Sequence, residues 1–94
     1  MRQTIGFIGG GQMCEALVKG IIVSGLYKSD DVFVAEPNDF RRDHLRETYA
    51  IQTSHNEDLI LEKCTVVILS VKPQSMKALL EGCRDKVRSE HILI

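Results

Sequence analysis

Residues 4–17 read Thr-Ile-Gly-Phe-Ile-Gly-Gly-Gly-Gln-Met-Cys-Glu-Ala-Leu, and no other stretch limits the fold so strongly. A short apolar run, Ile5 to Ile8, breaks into three glycines and then into a helical pattern. Strand, glycine turn and helix in that order is what a dinucleotide pyrophosphate needs. Gly9 allows the tight turn, and Gly11 keeps a Cβ out of the path of the phosphates. The helix that follows would offer unpaired N–H groups and the positive end of its dipole to the anion. The full fingerprint is Gly-x-Gly-x-x-Gly/Ala, and its third position here is Cys14, small but not the usual residue. Such glycines are often only a turn; their place after an apolar run and before a helix favours a nucleotide site.

Ninety-four residues are enough for one domain with a modest core, spanning 1–94. Charged residues make up 27% and the formal net charge is -1, so no basic excess points to nucleic acid. No apolar run is long enough to span a bilayer, and the first strand starts too early to leave room for a removable leader. Cys14, Cys64 and Cys83 share no metal-like spacing and read as reduced thiols of a cytoplasmic protein. His55 and His91 likewise have no partner spacing for a metal. Residues 89–94 look like a turn and a buried strand in which the chain stops, as expected of a fragment.

Taken in order, a first helix is expected over about residues 12–23. Met13, Ala16, Leu17, Gly20 and Ile21 would form its sheet-facing stripe, with Gly20 allowing close approach. Ser24-Gly25 would end it, Gly25 being left-handed. Residues 32–35 form a second strand, closed by Glu36-Pro37-Asn38-Asp39. Pro37 stops the strand, and Asn38 or Asp39 can cap a helix over about 40–49. Its Arg41, Arg42, Asp43, Arg46 and Glu47 read as a solvated outer face, and His44 as merely exposed. A third strand is expected over 51–53. Ser54-x-x-Glu57 has the spacing of a capping box for a short helix over about 57–62.

Residues 65–71, Thr-Val-Val-Ile-Leu-Ser-Val, are the best strand in the chain, and the unbroken β-branched run indicates burial on both faces. Pro73 then opens a helix whose stripe of Met76, Leu79, Leu80, Cys83 and Val87 is core packing. A fifth strand begins at about His91 and is cut short. The alternation predicts an α/β, Rossmann-type parallel sheet with right-handed crossovers and helices on both faces. Its ligand would lie outside the carboxyl ends of the strands, where residues 9–13, 36–38 and 70–73 meet.

Gly6-Phe7-Ile8-Gly9-Gly10-Gly11-Gln12-Met13, His55-Asn56 and Val71-Lys72-Pro73 together resemble the N-terminal domain of pyrroline-5-carboxylate reductase. The resemblance covers essentially the whole chain. It implies a cofactor-binding half of an enzyme that passes hydride from NAD(P)H to the C=N bond of pyrroline-5-carboxylate, giving proline. It also implies a C-terminal helical domain, absent here, that makes the homo-oligomer and supplies the substrate pocket and proton donor. By position, Ile8, Gly9, Gly10, Gly11, Gln12 and Met13 would wrap the pyrophosphate of NADP or NAD. Glu36 would meet the adenosine ribose or its 2′-phosphate, with Asn56 beside it. Ser70, Val71, Lys72 and Pro73 would line the nicotinamide side. The chain departs from the family at Cys14, usually Ala or Gly, and at Glu36, often a small hydroxyl residue.

No carboxylate pair or Cys–His arrangement suggests independent acid–base or nucleophilic chemistry. Cys14 at a helix N-terminus could pass for a nucleophile, but the third fingerprint position sits between helix and strand, which favours packing. Lys72 could contact a phosphate or substrate carboxylate, or only lend its backbone. Two further readings stay open: a stand-alone dinucleotide-binding module without turnover, and another NADP-dependent reductase such as the coenzyme F420-dependent kind. Glu36 argues for NAD, while Arg41 and Arg42 within one helical turn argue for the 2′-phosphate of NADP.

Overall fold

A computed structural model of the chain describes residues 4–70, Lys77, Glu81, Ile92 and Leu93. Strands β1 (Ile5–Ile8), β2 (Val32–Ala35), β3 (Gln52–Ser54), β4 (Val66–Leu69) and β5 (Ile92–Leu93) alternate with helices α1 (Gln12–Ser24), α2 (Asp39–Tyr49) and α3 (Asp58–Lys63). The strands form one parallel sheet in the order β3-β2-β1-β4-β5. This is the predicted Rossmann-type architecture.

The core follows from strand alternation, because successive side chains leave opposite faces of a sheet. Ile5, Phe7, Val32 and Val34 point to one face and pack with Cys14 and Val18 of α1 and Leu45 of α2. Ile8, Ala35 and Val67 point to the other, against Ile60, Leu61 and Cys64 of α3 and its end. Helices therefore cover both faces, and every residue of β1 is buried. Gly6 lies on the α3 side. A Cβ there would stand 2.4 Å from Ile60 Cγ2 and 2.9 Å from Cys64 Sγ, so α3 sits directly on the bare backbone.

Helix α1 ends as expected, with Gly25 left-handed at φ 77° and its N–H on the Ile21 and Ile22 carbonyls. Its packing face differs from expectation. Cys14 and Val18 are buried and Ile21 packs on the core, whereas Met13 is 70% exposed and Leu17 42% exposed. Gly20 has nothing within 4 Å of its Cβ position, so it mediates no close approach. The helix carries apolar residues on more than one side, and periodicity alone could not choose between stripes.

Other features of the reading are settled in detail by the structure. Asn38, not Asp39, caps α2, its side chain accepting from Arg41 N–H at 3.0 Å. The capping box does not form: α3 begins at Asp58, and Asn56 Oδ1 takes the Asp58 N–H at 3.0 Å. β3 is shifted by one residue, leaving Ile51 as a buried core residue just before it. In β4 only Val67 is buried, and Val66, Ile68 and Leu69 are half-buried rather than enclosed on both faces. The expected helix after Pro73, with its stripe from Met76 to Val87, lies outside the described residues apart from Lys77 and Glu81, which are helical and exposed. Among the described residues, no helix is long and apolar enough to cross a membrane.

The contact at Gly6 gives a direct test. Gly6→Ala should lower stability by about 1–3 kcal/mol, the usual cost of overpacking, despite alanine's better backbone entropy. A urea midpoint equal to or above that of the parent would show that α3 does not rest on Gly6.

Candidate functional site

The carboxyl ends of β1, β2 and β4 stop at one level, because Ile8 is in register with Ala35 on one side and Leu69 on the other. Gly9, Glu36 and Ser70 therefore leave the sheet side by side. Between β1 and β4 the connections diverge: α1 packs on one face and α3 on the other. A crevice at such a switch point is where open α/β sheets take their ligands.

The three glycines have three different jobs. Gly9 turns the chain at φ 105°, a left-handed conformation that only glycine adopts freely. Its N–H donates to the Ala35 carbonyl at 2.9 Å. Gly10 is buried against the β2 end, where a Cβ would meet Glu36 Cβ at 2.9 Å and Leu45 Cδ1 at 3.1 Å. Gly11 is extended, at φ -77° and ψ -166°, and its Cβ position has nothing within 4 Å. It is the N-cap of α1, no side chain caps that helix, and Gln12 and Met13 are exposed in its first turn. Amides at a helix N-terminus have no partner within the helix and carry the positive end of its dipole. Open space over bare backbone, at an uncapped helix N-terminus, is a seat for an anion.

Charged side chains hold this loop from behind. Glu36 Oε1 accepts the Gly10 N–H at 2.9 Å, and Oε2 accepts the Asn38 N–H at 2.9 Å. Arg41 Nε donates to the Gly10 carbonyl at 2.9 Å, so both polar groups of Gly10 are tied down. Arg41 Nη2 also pairs with Glu15 of α1 at 3.0 Å. Glu15 accepts in addition from His44 at 2.9 Å and from the Tyr49 hydroxyl at 2.8 Å. One carboxylate thus joins α1 to three residues of α2. Those bonds, from His44 first, then Tyr49 and Arg41, hold the Glu15 carboxyl at about 2, well below the usual carboxylate range. The Tyr49 hydroxyl is pushed up by its bond to the same carboxylate.

Arg41, Arg42 and His44 are therefore not simply a solvated face. Arg41 and Arg42 are half-buried, and His44, although exposed, is bonded to Glu15. Sequence reasoning missed this cluster because Glu15 and Tyr49 lie 34 positions apart, beyond any local spacing rule.

On the other side, Ser70 N–H donates to the Ile8 carbonyl at 2.9 Å, and its hydroxyl donates to the Gly9 carbonyl at 2.7 Å. Cys14 lies fully buried beneath. Burial pushes the Cys14 thiol up to about 12, so it stays protonated at neutral pH and packs rather than attacks. Burial likewise raises Cys64, to about 11. Asn56 follows β3 at the same end of the sheet, where it bonds locally to His55 and Asp58. Val71, Lys72 and Pro73 lie outside the described residues. Among the described residues, no group of three His, Cys, Asp or Glu side chains could hold a metal ion.

With that geometry in place, relatives can be compared. The family described as NADP oxidoreductase, coenzyme F420-dependent, matches residues 4–94. Pyrroline-5-carboxylate reductase 3 of Rattus norvegicus is 34% identical over 90 residues, covering 96% of this chain and 32% of that protein. A solved pyrroline-5-carboxylate reductase from Coxiella burnetii superposes with a TM-score of 0.83 at 30% identity, covering 88% of this chain and 30% of that one. The Plasmodium falciparum pyrroline carboxylate reductase, solved with NADP bound, has a TM-score of 0.81 over 98% of this chain and 32% of its own. Its 22% identity speaks for the fold alone. The chain thus spans about a third of the length of these relatives.

The Glu15 cluster makes stability depend on acid. A carboxyl whose pKa is depressed on folding contributes stability above its unfolded value and loses it as pH falls through the folded one. Between about pH 4.5 and 2 the α1–α2 clamp should weaken. Glu15→Gln should cost about 1 kcal/mol at neutral pH, as expected of a partly exposed ionic cluster, and should flatten the acid limb of a urea-midpoint profile. An unchanged acid limb in that variant would remove Glu15 from the clamp.

Proposed function

The chain belongs to the family of NADP oxidoreductases described as coenzyme F420-dependent, and from that premise we propose that it is the dinucleotide-binding domain of a pyrroline-5-carboxylate reductase. The observation that carries this reading is the open space over Gly11 at the uncapped N-terminus of α1. A pyrophosphate fits there, its charge met by backbone N–H groups of the first turn. Gly10 cannot be that contact, since it is packed against Glu36 and Leu45. Its peptide instead fixes the loop, held at N–H by Glu36 and at C=O by Arg41.

Glu36 closes the site at the β2 end, where the adenosine ribose would lie. Ser70, bonded to the Gly9 carbonyl, closes it at β4, on the nicotinamide side. Val71, Lys72 and Pro73 would continue that side, and Asn56 would flank the adenosine. NAD(P)H supplies the hydride when bound; the domain supplies position and electrostatics. Its own residues do no acid–base chemistry in this reading. The cysteines on the site side of the sheet and beneath it stay protonated, and Glu15 is committed to its three partners. Proton donation, the pyrroline-5-carboxylate pocket and homo-oligomer contacts would belong to the two-thirds of the relatives' length that this chain does not match. The family description also favours a second reading, in which the same domain serves a reductase of the F420-dependent kind.

Calorimetric titration of the 94-residue chain with dinucleotide tests the site. The parent should bind, and Gly11→Val should weaken binding about a hundredfold or more, equivalent to about 2.7 kcal/mol. Because Gly11 is extended and faces open space, the variant should keep the parent's circular dichroism and urea midpoint. Unchanged affinity in the folded variant would remove the glycine loop from the site. The chain alone should not oxidise NADPH with pyrroline-5-carboxylate, and robust turnover would sink the division of labour proposed above.

A further inference from the structure

We propose that this site prefers NADH to NADPH and that Glu36 is the residue that discriminates, an inference that rests on the cofactor-binding reading above. The family description names NADP, so such a preference would set this chain apart. In sequence, Glu36 argued for NAD and the two arginines after it for NADP. The side-chain bonds decide between them.

Glu36 follows Ala35, whose carbonyl accepts the Gly9 N–H, so its side chain stands one strand away from the glycine loop. Two backbone donors fix its rotamer: Gly10 N–H on Oε1 and Asn38 N–H on Oε2, each at 2.9 Å. A carboxylate has about four lone-pair positions, so two donors leave room for a third. A ribose 2′-hydroxyl can fill it. A 2′-phosphate has no comparable donor and adds negative charge beside a carboxylate that cannot swing away without releasing the loop.

Anion recognition at this end would need a free cation or free backbone N–H groups. The two arginines that follow the strand are already anchored by other bonds. Arg41 spends Nε on the Gly10 carbonyl and Nη2 on Glu15. Arg42 spends Nη1 on the carbonyls of Glu36 and Pro37, at 2.8 and 3.0 Å, and Nη2 on Asp39. Turning either guanidinium toward a phosphate would break bonds that hold the loop and the start of α2. The backbone of residues 36–38 is no better placed. Glu36 N–H donates to the Ser54 carbonyl, Pro37 has no N–H, and Asn38 N–H is taken by Glu36. Even the Asn38 side chain is committed, as the cap of α2.

Two titrations test this on the parent chain. NADH should bind at least about tenfold more tightly than NADPH, a difference of about 1.4 kcal/mol. Among fragments, 5′-AMP should bind more tightly than adenosine 2′,5′-bisphosphate, which isolates the effect of the 2′-phosphate. Glu36→Gln and Glu36→Ser should each narrow the ratio, the glutamine keeping most of the side chain's shape. Equal or tighter binding of NADPH to the parent would overturn the inference while leaving the cofactor-binding reading intact. So would an unchanged ratio in a variant with the parent's circular dichroism. If neither variant folds, the fragment pair on the parent decides. Failure of the parent to bind either dinucleotide would overturn the cofactor-binding reading, and this inference with it.

Discussion

Strand β1 has a neighbour on each edge and cover on each face, and most of the structure is arranged to provide them. Buried parallel strands must satisfy every backbone polar group through the ladder, because no water reaches them. β2 and β4 therefore have to match β1 residue for residue, and they do, from Ile5 to Ile8. The same enclosure leaves no room for a side chain at Gly6, under Ile60 and Cys64. Once the strand is held in this way, its exit point is fixed, and the glycine turn inherits its position from the core.

The loop is then shaped by polar contacts that are individually modest but act on one peptide. Glu36 and Arg41 grip Gly10 from its two ends, and Ser70 grips the carbonyl before it. Glu15, His44 and Tyr49 hold Arg41 and α2 against α1. Two layers of support thus stand behind a patch of backbone that is itself bare. Preorganisation of this kind lets a site bind an anion without paying for loop ordering on arrival.

Much of this was legible in the amino-acid sequence. The β-branched runs, the glycine turn, Gly25 and Pro37 marked the strands and the helix ends, and those features depend only on local backbone preference. The sheet type followed from their alternation. What could not be read depended on contacts between distant residues. The buried side of α1 was misjudged because Met13 and Leu17 fit a helical stripe as well as Cys14 and Val18 do. The capping box did not form because the helix starts later, at Asp58, where Asn56 takes the N–H, and Ser54 Oγ accepts from Asn56 instead. Arg41 and Arg42 looked like solvated charge, since nothing local shows that their partners are Gly10, Glu15 and Asp39. Of the candidate site residues, the glycines, Glu36 and Ser70 come together at one edge. The distinct job of each glycine depends on φ and on neighbours from β2 and α2 that no local pattern shows.

The central place of β1 also has a consequence in time. It precedes the other described elements in the chain, yet Ile8 is bonded to Ser70 across 62 positions. Contacts of such separation form late, because the loop between them must close first. Until β4 has been made and folded back, β1 has an unpaired edge, open to any other strand that passes. The Gly9 carbonyl meanwhile has no hydroxyl to meet it. Order of synthesis and order of assembly therefore run against each other: the earliest of the described strands is among the last to be enclosed.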